Sequence, residues 1–173
     1  VQSAGAALGK VFTLLDTQPT VDERPGAFDV PVGDLAIEVD GVSFSYAPDA
    51  PSVLDDVTLA IAAGERIALV GPTGAGKSTL AKLLARFYDP TAGRILLGGA
   101  DLRDLTATSL RHALCVVPQE GYLFAGSLRE NVRIGRVGAT DADVDAAIAV
   151  LGLTERFAGF PQGLDSEVHE GGA

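Results

Sequence analysis

A glycine-rich stretch at residues 71–78 carries the residue types and spacing needed to hold a chain of phosphates. It fits the pattern G-x-x-x-x-G-K-[ST], in which glycines let successive backbone N–H groups curve around oxygens that a Cβ would obstruct. In this pattern the lysine, Lys77, reaches the β- and γ-phosphates, and the hydroxyl of Ser78 binds Mg²⁺. The sequence therefore predicts a nucleotide and Mg²⁺ site formed by Gly71, Thr73, Gly74, Ala75, Gly76, Lys77, Ser78 and Thr79.

The segments on either side of this loop fit a strand followed by a helix. Residues 66–70 are continuously apolar after Arg66, which is typical of a strand buried on both faces. After the loop, apolar residues at helical spacing indicate a helix that ends at Asp89-Pro90; they are Leu80, Leu83, Leu84 and Phe87. This context favours a phosphate loop over an ordinary glycine-rich turn, although by itself the loop would also suit a motor ATPase or a small-molecule kinase.

The other elements must place this loop within an α/β fold. Alternating residues on either side of Asp40-Gly41 predict a hairpin of strands 35–39 and 42–46. Further strands are expected at 53–61, 94–97 and 113–117. Helices are expected at 3–16, 140–151 and 154–158, with Thr140 and Asp143 at the start of the second. Residues 17–33 are rich in proline and acids and indicate a linker.

Composition excludes several classes of protein. The chain has 173 residues and a formal net charge of −10, which disfavours non-specific nucleic-acid binding. Its positive residues nevertheless cluster around the predicted phosphate loop. One cysteine, Cys115, excludes a disulfide framework, and its apolar neighbours predict a buried position. We see no run of the length that a membrane span requires and no secretory signal.

Several motifs in order resemble the nucleotide-binding domain of an ATP-binding cassette (ABC) transporter, of the exporter-like type that fuses membrane and ATPase parts. These are a hairpin-like segment at 37–46, strands at 54–59 and 64–70, the loop described above (Walker A), a Q-loop at 116–120 and the segment at 123–132. The resemblance implies a P-loop ATPase with an antiparallel β subdomain. It also implies three parts: the end of a transmembrane helix with its linker (1–33), an ATP-binding core (34–120) and a partial helical subdomain (121–173).

The resemblance also implies roles for residues outside the loop. Tyr46 would stack on adenine, where a half-buried strand aromatic is the alternative. Gln119 would contact Mg²⁺ and water and act as a hinge, although it is also simply the polar residue after Pro118. Glu170 would touch intracellular loops of the membrane domain, or be a solvated acid. The expected catalytic residues are thus Lys77 and Gln119, the metal ligands Ser78 and Gln119, and the cofactors ATP and Mg²⁺.

As partners, the resemblance implies a second ABC ATPase domain, identical or not, and the transmembrane domain of the same chain, at the cytoplasmic face of the plasma (inner) membrane. ATP binding and hydrolysis would drive transport, in the direction of export. The signature sequence, Walker B aspartate, catalytic glutamate and switch histidine are not found here, so we expect a fragment that hydrolyses no ATP and binds it weakly. A soluble P-loop motor ATPase and a degenerate, non-hydrolysing nucleotide half-site are the alternatives.

Overall fold

The computed structural model describes residues 9, 11–13, 15–16, 19–119, 121–169 and 171, in two compact units, 1–116 and 117–173. Residues 9, 11–13 and 15 are helical, and residue 16 is a turn. The remainder of the helix predicted at 3–16 lies outside the described residues. None of the described helices is long and apolar enough to cross a membrane.

The described part of the first unit contains a four-stranded antiparallel sheet. Its strands are β1 (Ile37–Phe44), β2 (Leu54–Ile61), β3 (Ala92–Leu97) and β4 (Ala100–Asp101), in the order β2-β1-β3-β4. The strands predicted at 53–61 and 94–97 are therefore confirmed, and the long strand β1 lies at the centre of the sheet.

The predicted hairpin at Asp40-Gly41 is wrong, because β1 runs straight through these residues. Gly41 has a φ of +58°, and the pairing with both neighbouring strands shifts register just after Val39 or Asp40. This irregularity is a bulge, which inserts an extra residue and resets the alternation of side chains. Val39 and Val42 are both buried as a result, and the same Asp-Gly pair that favours a two-residue turn serves here to bend a strand.

Helix α1 (Lys77–Leu84) packs its apolar side against this sheet. Leu80 and Leu83 are buried in one cluster with β1 and β3 residues such as Val39 and Ile95. The cluster is completed by Leu102 of the 3₁₀ turn Leu102–Asp104, by Leu105 just after that turn, and by Leu110 of helix α2 (Ala107–Ala113). This core fixes the start of α1, and hence the glycine-rich loop before it, relative to the sheet.

Two predicted strands, at 66–70 and 113–117, do not form. Residues 66–70 and 114–117 pair with no described strand, and Ala113 is instead the last residue of α2. Val70 and Val117 are each 88% exposed, and Cys115 is exposed rather than buried. An apolar run indicates burial on both faces, but it cannot supply the hydrogen-bonding neighbours that make a strand.

The proline-rich linker is bound to the core by specific hydrogen bonds over its described part. Arg86 donates to the carbonyl of Asp22 at 2.9 Å, and Glu23 accepts from the backbone N–H of Ala107 at 2.6 Å. Farther along, the N–H of Val30 donates to Oγ of Ser109 at 3.0 Å. We call residues 22–30 the strap, because they lie fixed along the core rather than as a free connection.

The second unit is mainly helical. Its helices are α3 (Leu128–Arg133), α4 (Asp141–Val150) and α5 (Thr154–Ala158), and the short strands β5 (Gly126–Ser127) and β6 (Glu167–Val168) pair with each other. The predicted helices at 140–151 and 154–158 are confirmed. Thr140 and Asp143 form a capping box, and hydrogen bonds from Arg136 and then Thr140 hold the pKa of the Asp143 carboxyl far below its ordinary value.

Candidate nucleotide-binding site

The glycine-rich loop, exposed over residues 71–75, leads directly into the N-terminus of α1. Gly76 is the residue before α1, and its φ of +83° is left-handed. A Cβ built on Gly76 would lie 2.6 Å from Cδ2 of Leu54 and 3.0 Å from the carbonyl oxygen of Val53. Only glycine fits here, because both the backbone angle and the neighbouring strand exclude a side chain.

The start of α1 has the electrostatics of an anion site. The first backbone N–H groups of a helix lack intrahelical partners and carry its positive dipole end. The first turn of α1, which the structure fully describes, contains no acidic residue to offset that charge. Ser78 is exposed in this turn, immediately after Lys77. This arrangement suits a phosphate group.

Lys77 closes the loop on itself. Its Nζ lies 2.8 Å from the carbonyl oxygens of both Gly71 and Pro72, at the opposite end of the loop from α1. The ammonium group is thereby held at the loop, where phosphate oxygens can replace the two carbonyls as acceptors. Such an exchange is possible because Lys77 is only partly buried.

An aromatic platform lies beside the loop. Tyr46, which follows β1, lies nearly perpendicular to Phe44 and Tyr88, at ring-centroid distances of 4.9 and 5.4 Å. The side-chain ammonium of Lys82 lies 5.7 Å from the Tyr46 ring centroid. Since Tyr46 is 47% exposed, the platform can receive a flat ring such as a base.

A hydrogen bond joins the aromatic platform to α1. The hydroxyl of Tyr46 lies 3.0 Å from Oγ1 of Thr79, and Thr79 is only 6% exposed. The structure therefore brings Tyr46 together with the loop residues in the first unit. Sequence reasoning missed Phe44 and Tyr88: the two-residue spacing of Phe44 and Tyr46 was a usable signal, whereas the position of Tyr88 depends on how the chain turns after α1.

Gln119 belongs to the second unit, where it is exposed at a bend after Pro118. Glu120 and Glu170 lie outside the described residues. Among the described residues no group of three or more His, Cys, Asp or Glu side chains could hold a metal. The exposed hydroxyl of Ser78 at the start of α1 has the chemistry that Mg²⁺ accepts, since this ion takes oxygen ligands and often binds through one or two protein groups plus substrate phosphates.

Comparison with known proteins finds a family match and several similar proteins. The family model described as ABC transporter matches residues 54–167, which is more than half of the chain. The chain is 44% identical over 165 residues to an ATM1-type heavy metal exporter of Novosphingobium aromaticivorans, covering 95% of this chain and 27% of that protein. It is 39% identical over 172 residues to human ATP-binding cassette sub-family B member 6, covering 99% of this chain and 20% of that protein.

A solved structure has a fold similar to that of this chain. The structure of a bacterial Atm1-family ABC exporter with ATP bound matches with a TM-score of 0.83 and 43% identity, covering 98% of this chain and 30% of that one. The chain thus spans less than a third of the length of these relatives. The α/β P-loop fold with an antiparallel sheet is confirmed. The loop sequence, the fold and the relatives agree, and the chain belongs to the ABC transporter family.

Proposed function

We propose that this chain is the ATP-binding part of an ABC exporter, in which ATP binding and hydrolysis are coupled to transport across a membrane. The observation that carries the proposal is the placement of an exposed aromatic ring directly beside a glycine-rich helix start, linked by the Tyr46–Thr79 hydrogen bond of 3.0 Å. A nucleotide needs both features, a surface for its base and a cradle for its phosphates.

In this proposal the loop residues and Tyr46 each have a defined role in binding the nucleotide. The backbone from Gly71 to Lys77 surrounds the phosphates, with Thr73, Gly74, Ala75 and Gly76 inside that stretch. Lys77 leaves the carbonyls of Gly71 and Pro72 for the β- and γ-phosphates, and Tyr46 stacks on adenine. A moving ammonium can follow charge from the β- to the γ-phosphate because Lys carries a flexible stem.

The proposed Mg²⁺ ligands are Ser78 and Gln119. Ser78 presents its hydroxyl at the start of α1, and Gln119 lies exposed just after the junction between the two units at residues 116 and 117. A polar side chain on a connecting segment can both contact an ion and move with the second unit. We therefore propose a hinge role for Gln119. We also propose that the chain comprises the end of a transmembrane-domain helix with its linker (1–33), an ATP-binding core (34–120) and a partial helical subdomain (121–173).

In the intact protein we propose that two such ATPase parts bind each other and the membrane domain of their own chains. The relatives with which this chain aligns are named as exporters or ATP-binding cassette proteins. The site would face the cytoplasm at the plasma (inner) membrane. Within these 173 residues no apolar run leads directly into an Asp-Glu pair, so we propose that the chain alone binds ATP weakly and does not hydrolyse it.

Calorimetric titration of the chain with ATP and Mg²⁺ tests the proposal. Lys77→Ala should weaken ATP binding at least about tenfold, because a charged hydrogen bond to phosphate contributes roughly 1.5–3 kcal/mol. Arg156→Ala is the matched control, since it removes one positive charge from an exposed position on α5. Equal ATP affinity in the wild-type chain and both variants would contradict the proposed site. ATP turnover by the chain that disappears in Lys77→Ala would contradict the proposed inactivity.

A further inference from the structure

The Tyr46 ring is held from three directions by residues of different elements. Phe44 lies on β1, and its ring centroid is 4.9 Å from that of Tyr46, with an interplanar angle of 84°. Tyr88 lies beyond the end of α1. Its ring centroid is 5.4 Å from that of Tyr46, with an interplanar angle of 89°, and 5.6 Å from that of Phe44. These three rings, Phe44, Tyr46 and Tyr88, form the aromatic platform described above. Perpendicular pairs of this kind are favourable because the electron-poor edge of one ring faces the electron-rich face of another.

The third restraint is polar. Tyr46 and Thr79 share a hydrogen bond at 3.0 Å, and either hydroxyl can donate. Thr79 is 6% exposed and belongs to the first turn of α1, whose backbone begins at the phosphate loop. Because Thr79 is fixed by the helix, the bond sets how far the Tyr46 ring can lean away from the loop.

We propose that Tyr88 and the Thr79 hydroxyl are positioning residues, which hold the Tyr46 ring at the distance and tilt that a purine base requires. The inference rests on the proposed ATP site and adds residues that determine the contribution of the base to binding. Ordering a ring in advance improves affinity because less side-chain freedom is lost when the ligand arrives. The effect of Tyr88 is specific to the base, because Tyr88 lies outside the loop residues 71–79 predicted to hold the triphosphate.

A merely structural role for Tyr88 gives a different pattern. Tyr88 also touches the hydrophobic core, so its loss could distort the start of α1 and weaken every ligand of the loop. Inorganic triphosphate separates the two roles, since it has the phosphates of ATP and no base. A positioning role lowers the affinity for ATP alone, whereas a structural role lowers both affinities.

The experiment measures the dissociation constants of ATP and inorganic triphosphate, each with Mg²⁺, for the complete chain. Tyr46→Phe keeps the ring and the fold but removes the hydrogen bond, and we expect ATP binding to weaken about fivefold. Tyr88→Leu should weaken ATP binding about three- to tenfold, and Tyr88→Phe should restore it. In all three variants the affinity for triphosphate should stay at the wild-type value.

The role of Thr79 is tested by combining substitutions. Thr79→Val added to Tyr46→Phe should cause no further loss of preference for ATP over triphosphate, because the shared bond is already absent. The inference would be overturned if Tyr46→Phe and Tyr88→Leu lowered the affinities for ATP and triphosphate equally. It would also be overturned if both variants kept the wild-type affinity for ATP; either result would leave the ATP site itself intact. A wild-type chain that binds neither ligand would overturn the proposed function as well.

Discussion

Gly76 and Leu54 are in such close contact that a single added carbon atom on Gly76 would overlap the leucine. The Cβ would lie 2.6 Å from Cδ2 of Leu54, a buried residue at the beginning of β2. Packing against β2 therefore favours glycine at position 76, just before α1, in addition to the left-handed backbone angle there. A motif usually explained by its ligand is here also required by packing.

Gly76→Ala should destabilise the chain more than Gly74→Ala, although both glycines have nearly the same φ, +83° and +85°. Each variant incurs left-handed strain of about 1–2 kcal/mol. Only Gly76→Ala adds the overlap with Leu54, because no described atom lies within 4 Å of a Cβ on Gly74. Urea unfolding curves measure the difference. Equal losses of unfolding free energy in the two variants would contradict the packing role of Gly76.

Arg86 should contribute strongly to stability. Its side chain is 4% exposed and donates to the carbonyls of Leu105 at 3.1 Å and Asp22 at 2.9 Å. Arg86→Ala leaves these acceptors without their charged donor, and we expect a loss of about 3 kcal/mol in the free energy of unfolding.

Arg94→Ala is the control for Arg86. Arg94 forms an ion pair with Asp40 at 2.9 Å, and both side chains are 56% exposed. Such a surface pair contributes at most about 1 kcal/mol. Chemical denaturation of the two variants under the same conditions compares them. A loss in Arg94→Ala as large as that in Arg86→Ala would refute the assignment.

Ser78 should determine how strongly Mg²⁺ promotes ATP binding. Ser78→Ala removes the hydroxyl at the start of α1, so the gain in ATP affinity on adding Mg²⁺ should shrink while binding without the ion persists. Ser78→Thr retains a hydroxyl and should retain the gain. Titrations of the wild-type chain and both variants, with Mg²⁺ and with a chelator, give the six affinities needed. An undiminished gain in Ser78→Ala would exclude Ser78 as a ligand.

ATP should quench the tyrosine fluorescence of the chain, and inorganic triphosphate should not. The chain has no tryptophan and three tyrosines, so tyrosine emission is observable and single substitutions assign its changes to one ring. Stacking of adenine on Tyr46 quenches that ring, and Tyr46→Phe should therefore remove most of the quenching. Tyr122→Phe, in the second unit, should leave it in place; the opposite pattern would move the base site to Tyr122.

The capping box of α4 should make stability depend on acid pH. The pKa of Asp143 in the folded chain lies below its ordinary value of 3.8, so its contribution is present above that pH and is lost as pH falls further. Asp143→Asn should lower the unfolding midpoint at neutral pH, and the difference from wild type should narrow below about pH 4. Glu167→Gln, at an exposed position in the same unit, is the control for net charge. A pH-independent difference would contradict the mechanism.

Local patterns in the sequence predicted the elements whose signals are complete within a few residues. The loop before Lys77 and the capping box at Thr140 depend on backbone angles and short spacings, and the structure contains α1 and α4 at those places. The Asp40-Gly41 pair failed as a turn signal because a left-handed glycine suits a bulge equally well, and only the partners of the strand decide between them.

Features that depend on distant partners could not be predicted. The apolar residues 66–70 and 113–117 were predicted as strands, but hydrogen-bonding neighbours decide whether such a segment joins a sheet. Tyr88 follows a helix without any periodic pattern that would relate it to Tyr46. Between the helix and Tyr88 lies Arg86, whose left-handed φ of +53° no local pattern predicts. Long-range geometry of this kind is absent from local composition.

The strap connects the N-terminal side of the first unit to the end of α1. Arg86 binds the carbonyl of Asp22 and lies two residues beyond the last residue of α1, whose first turn follows the phosphate loop. Together with the other hydrogen bonds of the strap, this contact holds the backbone near residue 22 to the far end of α1, a helix of 8 residues that begins at Lys77. We therefore expect a displacement of the chain before the strap to act on the helix that carries Lys77.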